Sequence, residues 1–273
     1  MAHPSSACET FRALHGDGCF VMPNPWDVGS ALLLAGLGFP ALATTSSGFA
    51  WTQGRADNHV SLEEALAHFR AMAECVPVPV NGDFEGGFAV EPEKVAVHVR
   101  RAAGTGVAGL SIEDSTGEPD APLVERALAV ARVRAARQAI DASGTGVLLT
   151  ARTEGFITGR PDLRETVARL EAFAEAGADC LYAPGVRAAD DIATIVRAVH
   201  PRPVNVLVGS DFTTVAELAA LGVRRISVGG ALARAALDGR AGGGPRDQAG
   251  SGTFTALGGA MPFAEINGRF GRR

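Results

Sequence analysis

Three kinds of side chain in this sequence could do chemistry together. Acidic residues come in short bursts, Asp83 and Glu85 in NGDFEGG and Glu113 and Asp114 in SIEDS. Arg152 opens the phrase RTEG, and a hydroxyl-rich turn runs Thr44-Thr45-Ser46-Ser47-Gly48. Each burst closes a short run of β-forming residues. Taken singly, each carboxylate reads as a solvated loop charge. Four carboxylates on two neighbouring strands beside an arginine read differently, because buried like charges repel and resist ionising. A divalent cation relieves that conflict, and all-oxygen donors select Mg²⁺ or Mn²⁺. No histidine stands at these strand ends, which disfavours zinc.

Other residue counts narrow the chemistry. Lys94 is the only lysine, at the start of an expected outer helix. Schiff-base catalysis needs a desolvated lysine amine, so enolate chemistry here must lean on a metal. A net charge of −5 has the wrong sign for a nucleic-acid binder. Cys8, Cys19, Cys75 and Cys180 form no C-x-x-C pair and read as core residues rather than zinc ligands or a disulfide framework. There is no apolar run long enough to span a membrane. The N-terminus lacks a charged start leading into an apolar stretch, so a cytoplasmic location is expected.

The elements that must position these residues alternate regularly. Strands are expected at 19–22, 40–45, 79–83, 109–114, 147–152, 180–183, 204–208 and 225–228. Helices are expected at 27–37, 61–75, 91–103, 122–142, 163–176, 188–199, 214–221 and 232–237, with a long loop before the second. Ser61 and Glu64 form a capping box at the start of that second helix. AAGTGVAGL, EAGADCL and ALGVRRI each read as a helix end, a glycine cap and a buried strand. Eight such units predict a (β/α)8 TIM barrel, with a doubly wound open sheet as the alternative. The whole chain, 1–273, reads as one domain, with a Gly-rich loop at 239–252 before a C-terminal segment at 253–270. Barrel active sites lie at the C-terminal strand ends, where the residues above, together with Asn205 on the seventh strand, are found.

At these residues the chain resembles the isocitrate lyase and phosphoenolpyruvate mutase superfamily, over residues 19–270. The resemblance rests on MPNPWDVGSALLLAGLGFPALATTSSG, GRAD, NGDFEGGF, SIEDS, TARTEGF, AGADCLYAPG, PVNVL and LGVRRISVGGALARA, in that order. It implies that Ser47 and Gly48 grip a substrate carboxylate and 2-oxo group. It implies that Asp57 contacts substrate or metal-bound water, that Asp83 and Glu113 hold Mg²⁺, and that Arg152 meets the substrate anion. Thr45 stands where the mutase has an aromatic residue. Asn81 replaces the first aspartate of the D-x-D metal motif, and Glu85 is the expected replacement ligand. The lyases' K-[KR]-C-G-H loop is absent, with Ser115-Thr116-Gly117-Glu118-Pro119-Asp120 in its place. Ala183-Pro184 replaces the mutase's histidine. A homo-oligomer, tetramer or dimer, is implied, with a C-terminal helix that is swapped or displaced.

The expected function is therefore Mg²⁺-dependent (or Mn²⁺-dependent) lyase or hydrolase action on a C–C bond. The substrate is a small 2-oxo or 2-hydroxy carboxylic acid of the oxaloacetate, 2-oxoglutarate, methylisocitrate or substituted malate class. Ser47, Asp57, Glu113 and Arg152 would be catalytic. Thr45, Ser47, Gly48, Asp83, Arg152 and Asn205 would bind substrate, and Asp83, Glu113 and Glu85 the metal. Two alternatives are phosphonopyruvate C–P hydrolysis or rearrangement, and a non-catalytic barrel that binds 2-oxo acids.

Overall fold

Each strand in this chain is short, parallel to its neighbours and buried on both faces, so it must be wrapped by helices. The computed structural model describes residues 4–243 and Glu265. Helix α1 (Pro4–Leu14) comes first, then β1 (Phe20–Met22), α2 (Val28–Gly36), β2 (Leu42–Ala43), α3 (Ser46–Thr52) and α4 (Leu62–Cys75). The chain continues through β3 (Val80–Asp83), α5 (Pro92–Ala103), β4 (Gly109–Glu113), α6 (Arg126–Ser143), β5 (Leu148–Arg152) and α7 (Leu163–Glu175). It ends in β6 (Cys180–Tyr182), α8 (Ala189–Val199), β7 (Val204–Leu207), α9 (Val215–Ala220), β8 (Arg225–Ser227) and α10 (Ala231–Gly243).

The sheet runs β1-β8-β7-β6-β5-β4-β3-β2, a nearly closed (β/α)8 barrel. Its seam lies between β1 and β2, where Ala43 N donates to Pro23 O at 3.0 Å. Asn24 reinforces the seam. Its Nδ2 donates to Thr44 O at 2.9 Å, and its Oδ1 accepts from the Val228 and Gly229 amides, each at 2.9 Å. One side chain therefore ties together the segments that follow β1, β2 and β8.

Four parts of the expected pattern change. Helix α1 at the N-terminus is additional. Helix α3 occupies the start of the expected long loop, because Thr45 caps it despite the turn-like Ser-Ser-Gly composition. Helix α6 starts at Arg126, four residues later than expected. Before it, Ser115 bridges to Leu123 and Glu125 takes the N-cap, accepting from Leu128 N at 3.2 Å. Helix α10 runs on to Gly243, into the expected Gly-rich loop. Once nucleated, a helix gains one hydrogen bond per added residue, which offsets the cost of glycine. The rest of that stretch, and a swapped or displaced C-terminal helix, lie outside the described residues.

Helix α1 closes the N-terminal end of the barrel. Phe11 is fully buried, and a Cβ on Gly109 would lie 2.6 Å from its ring. Glycine at position 109 is what lets the ring enter. One turn later, His15 meets the buried Arg225. A carbonyl only accepts and a guanidinium only donates. His15 Nδ1–H therefore donates to Phe11 O at 2.7 Å, and Nε2 accepts from Arg225 Nη1 at 3.3 Å. This fixes a neutral imidazole.

Burial, and then the Arg225 charge, pull the His15 pKa down from 6.5 to about 3. A depressed folded-state pKa gives stability that is present above the unfolded value and lost as pH falls toward the folded one. His15 should therefore cost the fold about 2 kcal/mol between pH 7 and pH 5, seen as a falling urea midpoint. His15→Gln, which keeps a donor and an acceptor without a titrating ring, should flatten that fall. An equally steep fall in the variant would contradict the neutral imidazole.

Candidate active site

Strands β3, β4 and β5 end side by side, and their last residues meet. Asp83 is anchored on three sides. Its Oδ2 accepts from Ser46 N at 3.0 Å, its Oδ1 from Ser111 Oγ at 3.3 Å, and its own N–H donates to Thr44 Oγ1 at 2.8 Å. Arg152 Nη1 lies 3.6 Å from Asp83 Oδ1 and 3.3 Å from Glu113 Oε2. Its Nε and Nη2 both donate to Glu154. The guanidinium lies over the Tyr182 ring, 5.2 Å from its centroid. Glu85 enters from a sharply bent loop. Both it and Phe88 adopt left-handed backbone angles, φ 46° and 56°, which non-glycine residues rarely hold outside functional sites.

The electrostatics are those of a site short of positive charge. Burial, with repulsion from Asp83 and Asp57, raises Glu85 to about 8. Burial holds Glu113 well above the ordinary glutamate range; Arg152 opposes this, while Glu154, Asp83 and Glu85 add to it. Asp57 returns from the loop after α3 to the same group. Its pKa is raised by burial and by Asp83, against a hydrogen bond from the Ser46 side chain. Asp83 and Glu113 thus share the Arg152 guanidinium, Asp57 and Glu85 add charge beside Asp83, and Arg132 of α6 also faces Glu113. These carboxylates fit a hard divalent cation, since every donor is oxygen. Among the described residues, no three acidic, histidine or cysteine side chains converge as a metal-binding group.

The hydroxyl turn faces this group. Thr45 caps α3, its Oγ1 accepting from Gly48 N at 3.3 Å and lying 3.1 Å from Ser47 Oγ. The Gly48 N–H, expected to meet an oxyanion, is thus already engaged by Thr45. Gly48 is also required for packing, as a Cβ there would lie 2.9 Å from Trp26 Cβ. Ser47 Oγ lies 2.9 Å from where a Gly230 Cβ would stand, so the β8–α10 turn closes over it.

Two expected positions fall elsewhere. Asn205 does not join the group: its Oδ1 accepts from Arg225 Nε and its Nδ2 donates to Ser227 Oγ, each at 2.9 Å. Asp114 belongs to the acidic burst but points away, since successive strand residues face opposite sides. Its Oδ2 takes Thr153 Oγ1 at 2.8 Å and Arg169 Nη1 at 3.1 Å, and its Oδ1 takes Glu154 N at 2.9 Å. It holds the turn that carries Arg152 and Glu154. Glu154 and Tyr182 are the contacts to Arg152 that the site expectation lacked. The i, i+2 spacing of Arg152 and Glu154 was the available signal for the first. Nothing in the local sequence marks the second.

Comparison with known proteins bears on this arrangement. A phosphoenolpyruvate phosphomutase family model matches residues 11–241. An uncharacterized protein of Mycobacterium tuberculosis H37Rv is 34% identical over 222 residues, 81% of each chain. The chain belongs to the isocitrate lyase/phosphoenolpyruvate mutase superfamily.

Superfamily relatives of known structure overlay closely. A Burkholderia cenocepacia J2315 protein provisionally called a lyase/mutase has a TM-score of 0.94 at 46% identity, covering 98% of this chain and 96% of its own. Oxaloacetate acetylhydrolase in complex with oxalate has a TM-score of 0.86 at 26% identity, covering 99% and 96%. These relatives make this superfamily member an enzyme of a lyase and mutase group that acts on small carboxylates. The loop after β4 is a surface turn. Thr116 N donates to Pro122 O at 3.0 Å, and the residues from Thr116 to Ala121 are exposed.

Asp114→Ala should remove the centre of the buried network and destabilise the superfamily barrel by about 3 kcal/mol. Disrupting the exposed Lys94–Glu91 pair with Glu91→Ala should leave the urea midpoint essentially unchanged. Urea denaturation of both variants tests the contrast. Equal midpoints would show that Asp114 does not carry the turn.

Proposed function

We propose that this chain is a Mg²⁺-dependent (or Mn²⁺-dependent) lyase or hydrolase that cleaves a C–C bond in a small 2-oxo acid, with oxaloacetate the best-fitting substrate. The observation that carries this is the crowding of Asp83 and Glu113 against the guanidinium of Arg152, with Asp57 and Glu85 adding charge beside Asp83. Asp83 and Glu113 would hold the cation, with Glu85 close by. A bound cation would supply Lewis-acid stabilisation of an enolate.

The chain's own groups supply the rest. Arg152 would take the substrate carboxylate through its remaining N–H groups, as a planar guanidinium does well. Ser47 Oγ would donate to the 2-oxo end of the substrate. Asp57, joined to Ser46 and close to Asp83, would orient the substrate or a bound water. Thr45 would keep the Ser47 hydroxyl aimed. Burial of the carboxylates excludes bulk water and strengthens these interactions.

The β4 loop supports the choice of substrate. It carries no cysteine, lysine or histidine to serve as an acid. Loss of CO₂ from oxaloacetate breaks the C–C bond without deprotonating a hydroxyl, and the pyruvate enolate left behind would take its proton from water. Relatives named oxaloacetate decarboxylase and the oxalate complex of oxaloacetate acetylhydrolase point to the same substrate class. No helix among the described residues is long and apolar enough to cross a membrane, and we propose that the enzyme is cytoplasmic and acts as a homo-oligomer.

The test is a metal-supplemented screen on oxaloacetate, 2-oxoglutarate, methylisocitrate, dimethylmalate and phosphonopyruvate. Turnover of oxaloacetate that stops with a chelator is expected, with Asp83→Asn lowering it about 100-fold. Phosphate release from phosphonopyruvate would instead select C–P chemistry. An Asp83→Ala chain with full metal binding and full turnover would refute the mechanism.

A further inference from the structure

Arg225 is one of the largest fully buried side chains of the protein, at the floor of the barrel. Its hydrogen-bond partners are uncharged: Asn205 Oδ1 at 2.9 Å, Thr150 Oγ1 at 3.0 Å and His15 Nε2 at 3.3 Å. Burying a cation among neutral acceptors is costly, so the surrounding groups must be firmly oriented. They are. Because a guanidinium only donates, Asn205 must turn its Oδ1 to Arg225 and its Nδ2 to Ser227 Oγ, 2.9 Å away. Tyr182 stands next to Asn205 in the β6–β7 register and next to Arg152 in the β5–β6 register. The Tyr182 ring lies beneath Arg152, 5.2 Å from the guanidinium carbon. A row of neighbouring side chains therefore runs from Arg225 through Asn205 and Tyr182 to Arg152.

We infer that Tyr182 is a positioning residue for Arg152, its ring fixing the guanidinium plane above the oriented Asn205–Arg225 floor. The inference rests on the reading of Arg152 as the anion-binding group. The need for such support follows from the neighbours. Asp83 and Glu113 lie near Nη1 as ion pairs, at 3.6 and 3.3 Å, while only Glu154 accepts hydrogen bonds from the guanidinium. If Asp83 and Glu113 are committed to a cation, Glu154 and the ring remain to hold Arg152. Arginine over an aromatic face is the arrangement that orders the plane without occupying its donors.

The test uses the full chain and two independent readouts. The first is solvent exchange of the Arg152 Nε–H by ¹⁵N NMR, assigned by its loss in Arg152→Lys. Tyr182→Leu should speed that exchange at least about tenfold, while Tyr182→Phe, which keeps the ring, should hold it within about threefold. The second is calorimetric titration with oxalate in the presence of Mg²⁺, where Tyr182→Leu should weaken binding about tenfold and Tyr182→Phe should restore most of it. Thermal melts by circular dichroism verify folding. If Tyr182→Leu does not fold, Tyr182→Met, which also removes the ring, takes its place, and native exchange in it overturns the positioning role. Native exchange and native oxalate affinity in Tyr182→Leu overturn the positioning role. Failure of the unmodified chain to bind oxalate would overturn the anion-site reading, and the exchange rates alone would then decide the role of Tyr182.

Discussion

The guanidinium of Arg152 is the nearest positive charge to Asp83, Glu113 and Glu154 at once, and these come from three different positions along adjacent strand ends. Two unit charges 4 Å apart interact by roughly 4 kcal/mol at an effective dielectric near 20. One arginine can balance only part of such a group. The excess appears as the elevated pKa values of Asp57, Glu85 and Glu113, each raised first by burial. A parallel barrel creates this situation by delivering all its strand ends to one rim. The same crowding makes the rim a place where a hard cation and an anionic substrate can bind together.

Much of the remaining structure keeps that guanidinium and its neighbours in place. Asp114, facing away from the site, gathers Arg169, Thr153 and the Glu154 amide, so the turn after β5 has little freedom. Arg132 of α6 donates to Gly86 O and ties down the bent loop that carries Glu85. Asn24 closes the seam beside Thr44, whose hydroxyl receives the Asp83 amide. None of these residues needs to touch a substrate. They hold charges where charges alone would push apart.

The barrel was legible because an apolar run and a helix alternate eight times, with a glycine closing several of the helices. Asp83, Glu85, Glu113 and Arg152 were legible because a strand's last residues identify the rim. What escaped was set by side-chain direction and by distant partners. Glu113 and Asp114 are adjacent in sequence, yet the pleat sends one to the site and the other to Arg169. Asn205 sits near a strand end like the others, but a buried arginine twenty residues later claims its amide. Helix α3 was hidden by a Ser-Ser-Gly run that suits a turn as well as a capped helix. The N-terminal helix had no strand partner in the repeat to announce it.

The most direct measurement is a crystal structure of the full chain with Mn²⁺ and oxalate, using the anomalous signal to locate the metal. The expected result is a manganese peak bound by Asp83 and by oxalate, with an oxalate carboxylate also against Arg152. Oxalate bound at Arg152 with no manganese near Asp83 or Glu113 would contradict a carboxylate-held cation as the centre of this site.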